Sequence, residues 1–312
     1  MPELPVRSVR LDLINACNVR CTFCPYFGKA ARIRAAGRKR GTARLDAGLL
    51  LENLQRLKRE NGRFAVRISG DGEGMLHPQF AGILQGLRSL GLEARLITNG
   101  TLLEKHAEAV RACISHLVVS VHGPEKVHDS LVGKPGAFRR VLHGLSLLGA
   151  GKEGAPHASL ALVANLANVA SIIEHIELCE KLGFSARIEH NFLPSANRGI
   201  DLGMLGAALA EASSRGASIS PQLEGEALRK FYSPGPFVLN PHECGYVKEN
   251  LSIRSNGDVF VCGSEYFGNL SRSPLDEIAR GKERMEFIKR IQQEARSKQG
   301  LSPEKCDRCC YQ

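Results

Sequence analysis

Residues 14–25 read INACNVRCTFCP and place Cys17, Cys21 and Cys24 within eight positions near the start of the chain. The spacing is Cys-x3-Cys-x2-Cys, and no further cysteine follows before Cys113. Three thiolates on one short loop can bind three irons of a cubane iron–sulfur cluster and leave the fourth iron open to another ligand. A zinc site with a distant fourth ligand, or three unrelated buried cysteines, also fits this spacing. The loop predicts a metal site, and an open iron–sulfur cluster is the favoured form.

Composition and hydropathy indicate a globular protein without membrane segments. The chain has 312 residues, of which 43% are hydrophobic and 24% are charged, values that are ordinary for globular domains. No apolar run approaches the roughly 18 residues that a transmembrane helix requires. The first residues, MPELPVRSVRLDL, lack the apolar core of a signal peptide. We therefore expect a cytoplasmic protein that contains one large α/β domain, with or without an appendage.

The net charge of +10 does not by itself indicate nucleic-acid binding. Seven of the basic residues lie in Lys29–Arg44, a segment without acidic residues. Surfaces that bind single-stranded nucleic acid combine such charges with aromatic side chains, and this segment has none. Because the segment follows the cysteine loop directly, we expect it to attract an acidic electron donor of the flavodoxin or ferredoxin type.

Six strand-like runs alternate with helical patterns along the chain. The strands are predicted at Val6–Leu13, Phe64–Ser69, Ala94–Thr98, His116–Val121, Ala158–Ala164 and Ser185–His190. The helices are predicted at Asp46–Glu60 (with Asp46 as N-cap), Gln79–Leu90, Leu102–Cys113, Ala137–Leu148 and Val169–Leu182. Strands that are each followed by a helix predict an α/β fold with a parallel, partly closed barrel sheet. In such barrels the chemistry lies at the C-terminal ends of the strands.

The pattern changes after about residue 200, and we divide the chain into a barrel (1–200), a linker or helical connection (201–235) and a small C-terminal domain (236–312). Leu202–Ser214 is predicted as a helix, and Ser273–Arg296 as a helical segment. Asn256-Gly257 within residues 249–262 predicts a β-hairpin. A domain this small needs a covalent or metal cross-link for stability. Four cysteines are its candidate metal ligands: Cys244, Cys262, Cys306 and Cys309.

The residue types of this second cysteine group leave two alternatives open. Tetrahedral sulfur ligation suits zinc as well as an iron–sulfur cluster. The last ligand is also ambiguous, because Cys310 directly follows Cys309. The sequence therefore predicts a metal centre here, without separating zinc from iron by residue types alone.

The cysteine loop resembles the hallmark motif of the radical S-adenosylmethionine (radical SAM) superfamily, which has an aromatic residue before the third cysteine, here Phe23. In that family the open iron of a 4Fe–4S cluster chelates the amino and carboxylate groups of SAM. One electron then cleaves SAM to methionine and a 5′-deoxyadenosyl radical, which abstracts a hydrogen atom from the substrate. The resemblance implies SAM and a 4Fe–4S cluster as cofactors, held by Cys17, Cys21 and Cys24 on a partial (β/α)6 barrel.

Further positions match this family in the expected order along the chain. Residues 69–73, SGDGE, resemble its GGE motif, with Asp71 where a second glycine is usual. The motif TNG follows at 98–100, SVHG at 120–123, and an asparagine after the fifth strand. The SAM-binding residues that the resemblance implies are Phe23, Gly70, Gly72, Glu73, Asn99, Ser120, His122 and Asn165.

The C-terminal spacing, Cys244-x12-Gly257-x4-Cys262 followed by Cys306-x2-Cys309, resembles the SPASM/twitch extension of radical SAM enzymes. A full SPASM domain uses seven cysteines for two clusters. The shorter twitch form, a β-hairpin plus helix with one auxiliary 4Fe–4S cluster, fits this chain better. The resemblance thus implies two 4Fe–4S clusters in all.

Among twitch enzymes, the chain resembles dehydrogenases and epimerases of aminocyclitol and aminoglycoside antibiotic pathways. This implies dehydrogenation at a carbinol carbon of a small molecule, with the auxiliary cluster as electron acceptor. The alternatives are redox-neutral epimerisation, with Cys113, Cys179 or Cys310 as hydrogen donor, and peptide modification by a SPASM maturase. Many maturases carry a leader-binding domain ahead of the barrel, and only 16 residues precede Cys17 here, so we expect a small-molecule substrate.

Substrate contacts are expected after the sixth strand, at Arg187, Glu189, His190 and Asn191. Alternation along a strand places Arg187 and Glu189 on one face. Either Glu189 or His190 is a candidate catalytic base for the hydroxyl proton. A salt-bridged rim without a catalytic role is the alternative for the same residues.

Overall fold

The computed structural model describes residues 5–28, 43–149, 154–192, 197–262, 265–302 and 306. The described strands form one ten-stranded sheet in the order β10-β9-β8-β1-β2-β3-β4-β5-β6-β7. Their bounds are β1 Ser8–Leu11, β2 Ala65–Ile68, β3 Glu93–Thr98, β4 Ile114–Ser120, β5 His157–Ala164, β6 Ser185–His190, β7 Ser218–Ser220, β8 Asn250–Ile253, β9 Asp258–Phe260 and β10 Tyr266–Asn269. The α/β fold class is confirmed, and all six predicted strands are present.

Strands β1 to β7 are parallel and follow one another in chain order. The seventh, Ser218–Ser220, pairs with β6 and falls inside the stretch 201–235 that the sequence predicts to be a connection. The sequence does not signal it because three residues are too few to show strand periodicity. On the β6 side the parallel sheet is thus one short strand wider than predicted.

Eleven α-helices occur among the described residues. They are α1 Ala47–Asn61, α2 Phe80–Ser89, α3 Leu103–Cys113, α4 Glu125–Val132, α5 Ala137–Leu147, α6 Ile172–Leu182, α7 Leu202–Ser214, α8 Gly225–Tyr232, α9 Tyr246–Glu249, α10 Leu275–Arg280 and α11 Lys282–Arg296. Short 3₁₀ helices span Gly74–Leu76 and Val169–Ser171. The Asp46 side chain accepts the Leu49 N–H at 2.7 Å and caps α1 as predicted. None of these helices is long and apolar enough to cross a membrane.

The two faces of the parallel sheet differ in chemistry. Because neighbouring strands are also consecutive in the chain, right-handed crossovers place the helices on one face. Apolar side chains such as Leu11 and Ile68 point to that face and form the core with the helices. We call the other one the open face; it carries the alternate residues, among them Arg10, Arg67 and Glu189.

The C-terminal segment continues the same sheet. Strand β8 pairs in parallel with β1, with Ser252 in register with Arg10, and β8, β9 and β10 are antiparallel neighbours. The predicted hairpin is present: Gly257 adopts a φ of 85° in the turn, which favours glycine. The helical segment 273–296 is two helices that meet at Gly281. The hairpin is therefore an extension of the barrel sheet on the far side of β1.

Candidate active site

The implied cofactor residues gather at one edge of the parallel sheet, the C-terminal ends of β1 to β5. The cysteine loop follows β1, Gly70 to Glu73 follow β2, and Asn99 follows β3. His122 comes just after β4, and Asn165 after β5. Because these strands are adjacent in the sheet, their C-terminal ends form one continuous rim.

The cysteine loop is held by apolar packing and by backbone hydrogen bonds to the end of α4. Cys17 and Cys21 pack against a small buried cluster that includes Val19 and Val132. Within the loop, the Arg20 N–H donates to the Val132 carbonyl at 2.9 Å. These contacts fix a loop that has no secondary structure of its own along most of its length.

The chemistry of the three thiols fits a bound iron–sulfur cluster. Burial raises the pKa of Cys17, and burial followed by the neighbouring Cys24 and Cys17 raises the pKa of Cys21 to about 12. Ligation by a cationic metal centre offsets this penalty by stabilising thiolates. The N–H groups of Tyr26 and Phe27 donate to Cys24 Sγ at 3.4 and 3.3 Å, as suits a thiolate ligand.

A site for a single metal ion would need several donor side chains that converge on one point. Within the described ranges, no group of three or more His, Cys, Asp or Glu side chains is placed to hold one metal ion. A cubane does not require such convergence, since each thiolate binds a different iron. The cluster assignment therefore rests on the donor types and their surroundings.

Two glycines let the cysteine loop and the turn after β2 touch. A Cβ on Gly72 would overlap the carbonyl oxygens of Ile14 and Ala16. A Cβ on Gly70 would overlap the Asp12 carboxylate. The two close approaches therefore occur at Gly70 and Gly72. These glycines flank Asp71, the residue at which this chain departs from the GGE motif.

Glu73 is buried at the end of β2, and its carboxylate accepts hydrogen bonds from the neighbouring strand end. Its Oε1 accepts the Thr98 hydroxyl at 2.8 Å, and its Oε2 accepts the Asn99 N–H at 2.8 Å. Burial raises the pKa of this carboxyl, opposed by these hydrogen bonds. These hydrogen bonds join the ends of β2 and β3.

Asn99 links the third strand to the cysteine loop. Its Oδ1 accepts both the N–H and the hydroxyl of Thr101, at 3.0 and 2.7 Å. Its Nδ2 donates to Asn18 Oδ1 at 2.9 Å and lies 3.9 Å from Cys17 Sγ. Sequence reasoning missed Asn18, although its position beside Cys17 in the loop was the available signal.

His122 is a buried, neutral imidazole at the end of β4. Burial and the neighbouring His128 lower its pKa well below the ordinary value. The Val163 N–H donates to Nδ1 at 3.3 Å, so Nε2 carries the hydrogen. The ring makes an edge contact with Phe23 at 4.9 Å between centroids, which brings these two predicted residues together.

The side chains of Ser120 and Asn165, at the rim, differ in their exposure and hydrogen bonding. Ser120 is half-buried at the last position of β4, on the open face. Asn165 is buried, and its side chain is engaged in its own loop: Nδ2 donates to the Val163 carbonyl at 3.0 Å, and Oδ1 accepts the Ala167 N–H at 2.9 Å. Asn165 therefore shapes the rim beside His122.

Asp12 is a buried carboxyl of the rim that sequence reasoning missed. It directly follows β1, beside Gly70, and accepts backbone N–H groups of Asp71 and Gly72. Burial and the negative charge of Asp71 raise its pKa to about 7, against the opposite effect of Arg10. An acid at the end of a buried strand, in the run RLDL, was the signal in the sequence.

The predicted substrate residues of β6 lie on opposite faces. Arg187 Nε donates to Glu189 Oε1 at 2.7 Å, and both side chains are half-buried on the open face. His190 is fully buried on the helix-covered face, where Nδ1 lies 2.8 Å from the Tyr232 hydroxyl of α8. Asn191 is buried and accepts the Asn197 amide at its carbonyl. The structure thus separates the two candidate bases.

Three of the four C-terminal candidate ligands lie in one apolar cluster. Cys244, Cys262 and Cys306 pack with Phe287 and Ile291, among other residues. Cys309 and its alternative Cys310 lie outside the described residues. Sulfur donors in an apolar environment fit an iron–sulfur cluster or zinc, the two alternatives that the sequence leaves open.

A family model of the radical SAM superfamily matches residues 11–185, more than half of the chain. The chain belongs to the radical SAM superfamily. A second model, the SPASM iron–sulfur cluster-binding domain, matches residues 244–310. This radical SAM enzyme therefore uses SAM with a 4Fe–4S cluster, and its C-terminal domain is of a type that binds auxiliary iron–sulfur clusters.

The similar proteins differ in what they act on. A probable GTP 3′,8-cyclase from Saccharolobus solfataricus is 28% identical over 181 residues, 57% of this chain and 54% of that protein. The match thus spans about half the length of that relative.

Among solved structures, SuiB of Streptococcus suis bound to precursor peptide SuiA has a TM-score of 0.69 at 17% identity, over 99% of this chain and 76% of SuiB. BtrN in complex with AdoMet and 2-DOIA has a TM-score of 0.51 at 13% identity, over 95% and 91%. At these identities the structures establish the fold alone.

Proposed function

We propose that this radical SAM enzyme oxidises a carbinol carbon of a small polyhydroxylated molecule, of the cyclitol or aminoglycoside type, to a ketone. SAM and its cluster, held by the N-terminal cysteines, would supply the radical chemistry that removes the hydrogen atom, and the auxiliary cluster would serve as acceptor for the remaining electron. The hydroxyl proton leaves to a base of the chain. Loss of one hydrogen atom, one proton and one electron balances the conversion of alcohol to ketone.

The positions of the spare thiols carry this proposal. Redox-neutral epimerisation needs a thiol that returns a hydrogen atom to the substrate. Cys179 is buried in the helix-side core, 3.6 Å from His175. Cys113 ends α3 at the start of β4, the end of the sheet opposite to the rim. Neither of these described thiols faces the open side, which favours oxidation over epimerisation.

Glu189 is the base that we propose for the hydroxyl proton. It lies near the C-terminal end of β6 on the open face, and its carboxylate is oriented by the Arg187 guanidinium at 2.7 Å. His190 faces the helices and is not retained as a base. We expect Glu189→Gln to lower ketone formation by roughly 10²- to 10⁴-fold, with SAM cleavage retained. His190→Gln should change ketone formation far less; the reverse ranking would contradict the assignment.

The cofactor roles of the rim residues are proposed on the same basis. Cys17, Cys21 and Cys24 would bind the first cluster, and Cys244, Cys262, Cys306 and Cys309 the auxiliary one. Gly70 and Gly72 would give SAM close access to backbone groups, while Ser120, the Nε2–H of His122 and the edge of Phe23 border the same space. Glu73, Asn99 and Asn165 would act by holding the rim in shape.

An acidic flavodoxin- or ferredoxin-type donor remains the proposed source of the reducing electron. The basic segment Lys29–Arg44 that would attract it begins five residues after Cys24. Most of this segment lies outside the described residues. A steep fall in reduction rate with ionic strength would support steering by these charges.

Product analysis in deuterated water tests the reaction. The reconstituted enzyme is incubated with SAM, a reductant and a panel of cyclitols, amino sugars and peptides. A ketone supports the proposal, whereas deuterium at an inverted carbon establishes epimerisation. A cross-linked peptide would establish the second candidate, a peptide-modifying maturase; SuiB, which shares the fold over 99% of the chain, was solved bound to a precursor peptide.

A further inference from the structure

We propose that the buried charge of Arg284 raises the reduction potential of the auxiliary iron–sulfur cluster, and so makes that cluster a better electron acceptor. Arg284 acts through the cluster and does not touch the substrate, so it is a positioning residue rather than a catalytic one. The inference deepens the proposed function and rests on it for the role of the cluster as acceptor.

Arg284 of α11 is a fully buried cation. Its exposed fraction is 1%, and arginine is almost never buried to this extent unless an acid pairs with it. Among the described residues, Arg284 forms no salt bridge and its Nε has no hydrogen-bond partner. Burial lowers the pKa of the guanidinium to about 10, so the group stays charged at neutral pH. A buried charge of this kind is costly unless an anion lies near it.

Two backbone carbonyls hold the guanidinium in place. Nη1 donates to the Ala279 carbonyl at 2.7 Å, and Nη2 donates to the Lys248 carbonyl at 2.6 Å. Both carbonyls lie in the last turn of a short helix, α10 or α9, where carbonyl groups lack helical partners. The carbonyl dipoles solvate the guanidinium but carry no net charge. Within the described part of the chain, the positive charge of Arg284 is therefore not compensated.

Arg284 lies beside the apolar cluster that contains the three described C-terminal cysteines. Phe287 and Ile288 belong to that cluster, and residues three and four apart lie on the same face of a helix. The segment on the other side also leads to the site, because α9 begins two residues after Cys244 and supplies the Lys248 carbonyl that accepts from Arg284. Two segments of the auxiliary site thus meet at this guanidinium.

The chemistry of the cluster gives this charge a function. A 4Fe–4S cluster with four thiolate ligands is an anion, and reduction by one electron makes it more negative. A nearby positive charge in a medium of low dielectric constant stabilises the reduced form more than the oxidised form. Because Arg284 is buried, water does not screen its charge. The charge therefore favours transfer of one electron from the substrate ketyl radical, which becomes the ketone once its hydroxyl proton has left to Glu189.

A redox titration of the reconstituted enzyme, followed by electron paramagnetic resonance, tests the effect of the charge. The signal that added SAM leaves unchanged belongs to the auxiliary cluster, because SAM binds the first cluster. We expect Arg284→Gln to lower the ratio of reduced to oxidised auxiliary cluster at a fixed potential by about tenfold or more, a shift of about 59 mV for one electron. Arg284→Lys keeps the charge and should stay close to the wild-type potential. Lys289→Gln, which removes an exposed charge from the same helix, is the matched control and should leave the potential unchanged.

The comparison of charged and uncharged variants decides the inference. Equal potentials in wild-type, Arg284→Gln and Arg284→Lys enzymes overturn it. An equal shift in both variants also overturns it, since the hydrogen bonds of the guanidinium would then be responsible. Arg284→Met, which is uncharged and has no polar group to bury, replaces Arg284→Gln if that variant does not fold.

Iron content and product formation complete the test. Loss of auxiliary iron from Arg284→Lys and from the uncharged variants alike would show a purely structural role, whereas loss from the uncharged variants alone would support the role of the charge. Because the titration needs no substrate, a charge-dependent potential in an enzyme that yields no ketone would refute the proposed oxidation alone. A ketone from an enzyme whose potential does not depend on Arg284 would overturn the present inference alone.

Discussion

The two cysteine groups of this enzyme are built in opposite ways. The N-terminal group lies within eight consecutive residues, and it is positioned by glycines, backbone N–H groups and a hydrogen-bonded rim. The C-terminal group draws Cys244, Cys262 and Cys306 from three separate segments, which meet in an apolar cluster. We propose that the local loop leaves a ligand position open at the rim, and that the cysteines from distant segments cross-link the fold around a closed site. The predictions below test this contrast.

Removal of one ligand from each group should give the largest difference. We expect Cys17→Ala to abolish SAM cleavage, because the first cluster loses one of only three protein ligands. Cys244→Ala should retain SAM cleavage but lose the oxidised product. The measurements are iron content, about eight per wild-type chain and about four in either variant, and formation of 5′-deoxyadenosine. Abundant 5′-deoxyadenosine from Cys17→Ala would refute the assignment of the N-terminal group.

Gly72→Ala should lower SAM cleavage nearly as much as the loss of a cysteine ligand does. Its Cβ would overlap the carbonyl oxygens of Ile14 and Ala16, so the cysteine loop must shift away from β2. We expect loss of the first cluster, with the auxiliary iron retained. Gly82→Ala is the matched control: its Cβ meets no atom within 4 Å, and α2 should gain up to about 1 kcal/mol from better helix propensity. Normal iron content and SAM cleavage in Gly72→Ala would show that the loop does not depend on this close approach.

Side-chain packing, in contrast, should control how well the auxiliary site retains its iron. Ile291 of α11 is buried in the cluster that contains the three C-terminal cysteines. Ile291→Ala should destabilise the protein by about 2–5 kcal/mol and lower the retention of auxiliary iron, while the first cluster persists. Chemical denaturation and iron analysis measure these effects. Equal loss of iron from both sites would mean that the two groups are not built independently.

The sequence predicts those features of the two cysteine groups that depend on residues close together in the chain. The cysteine loop, the strands and the cap at Asp46 depend on neighbours in the chain, and the structure places them as expected. Pairing of β8 with β1 joins positions far apart in sequence, such as Arg10 and Ser252, and periodicity carries no information on it. The burial of His190 likewise depends on α8, which the sequence pattern did not predict. In the sequence, Asp12 is an ordinary acid at the end of a strand. Its burial comes from the turn after β2, which packs on it in the fold.

The smallest expected effect is a pH dependence at the base of the cysteine loop. Burial raises the pKa of Asp12 from 3.8 to about 7 in the folded chain, so the folded state binds a proton that the unfolded state releases near pH 4. The stability that this proton contributes is fully present below about pH 4 and is lost as the pH rises through about 7. Asp12→Asn keeps an oxygen that can accept the N–H groups of Asp71 and Gly72 but does not titrate. Between pH 5 and pH 8 the wild-type protein should lose on the order of 2–3 kcal/mol relative to this variant. Urea denaturation of both proteins at the two pH values measures the difference, and parallel pH profiles would place the Asp12 pKa back at its ordinary value.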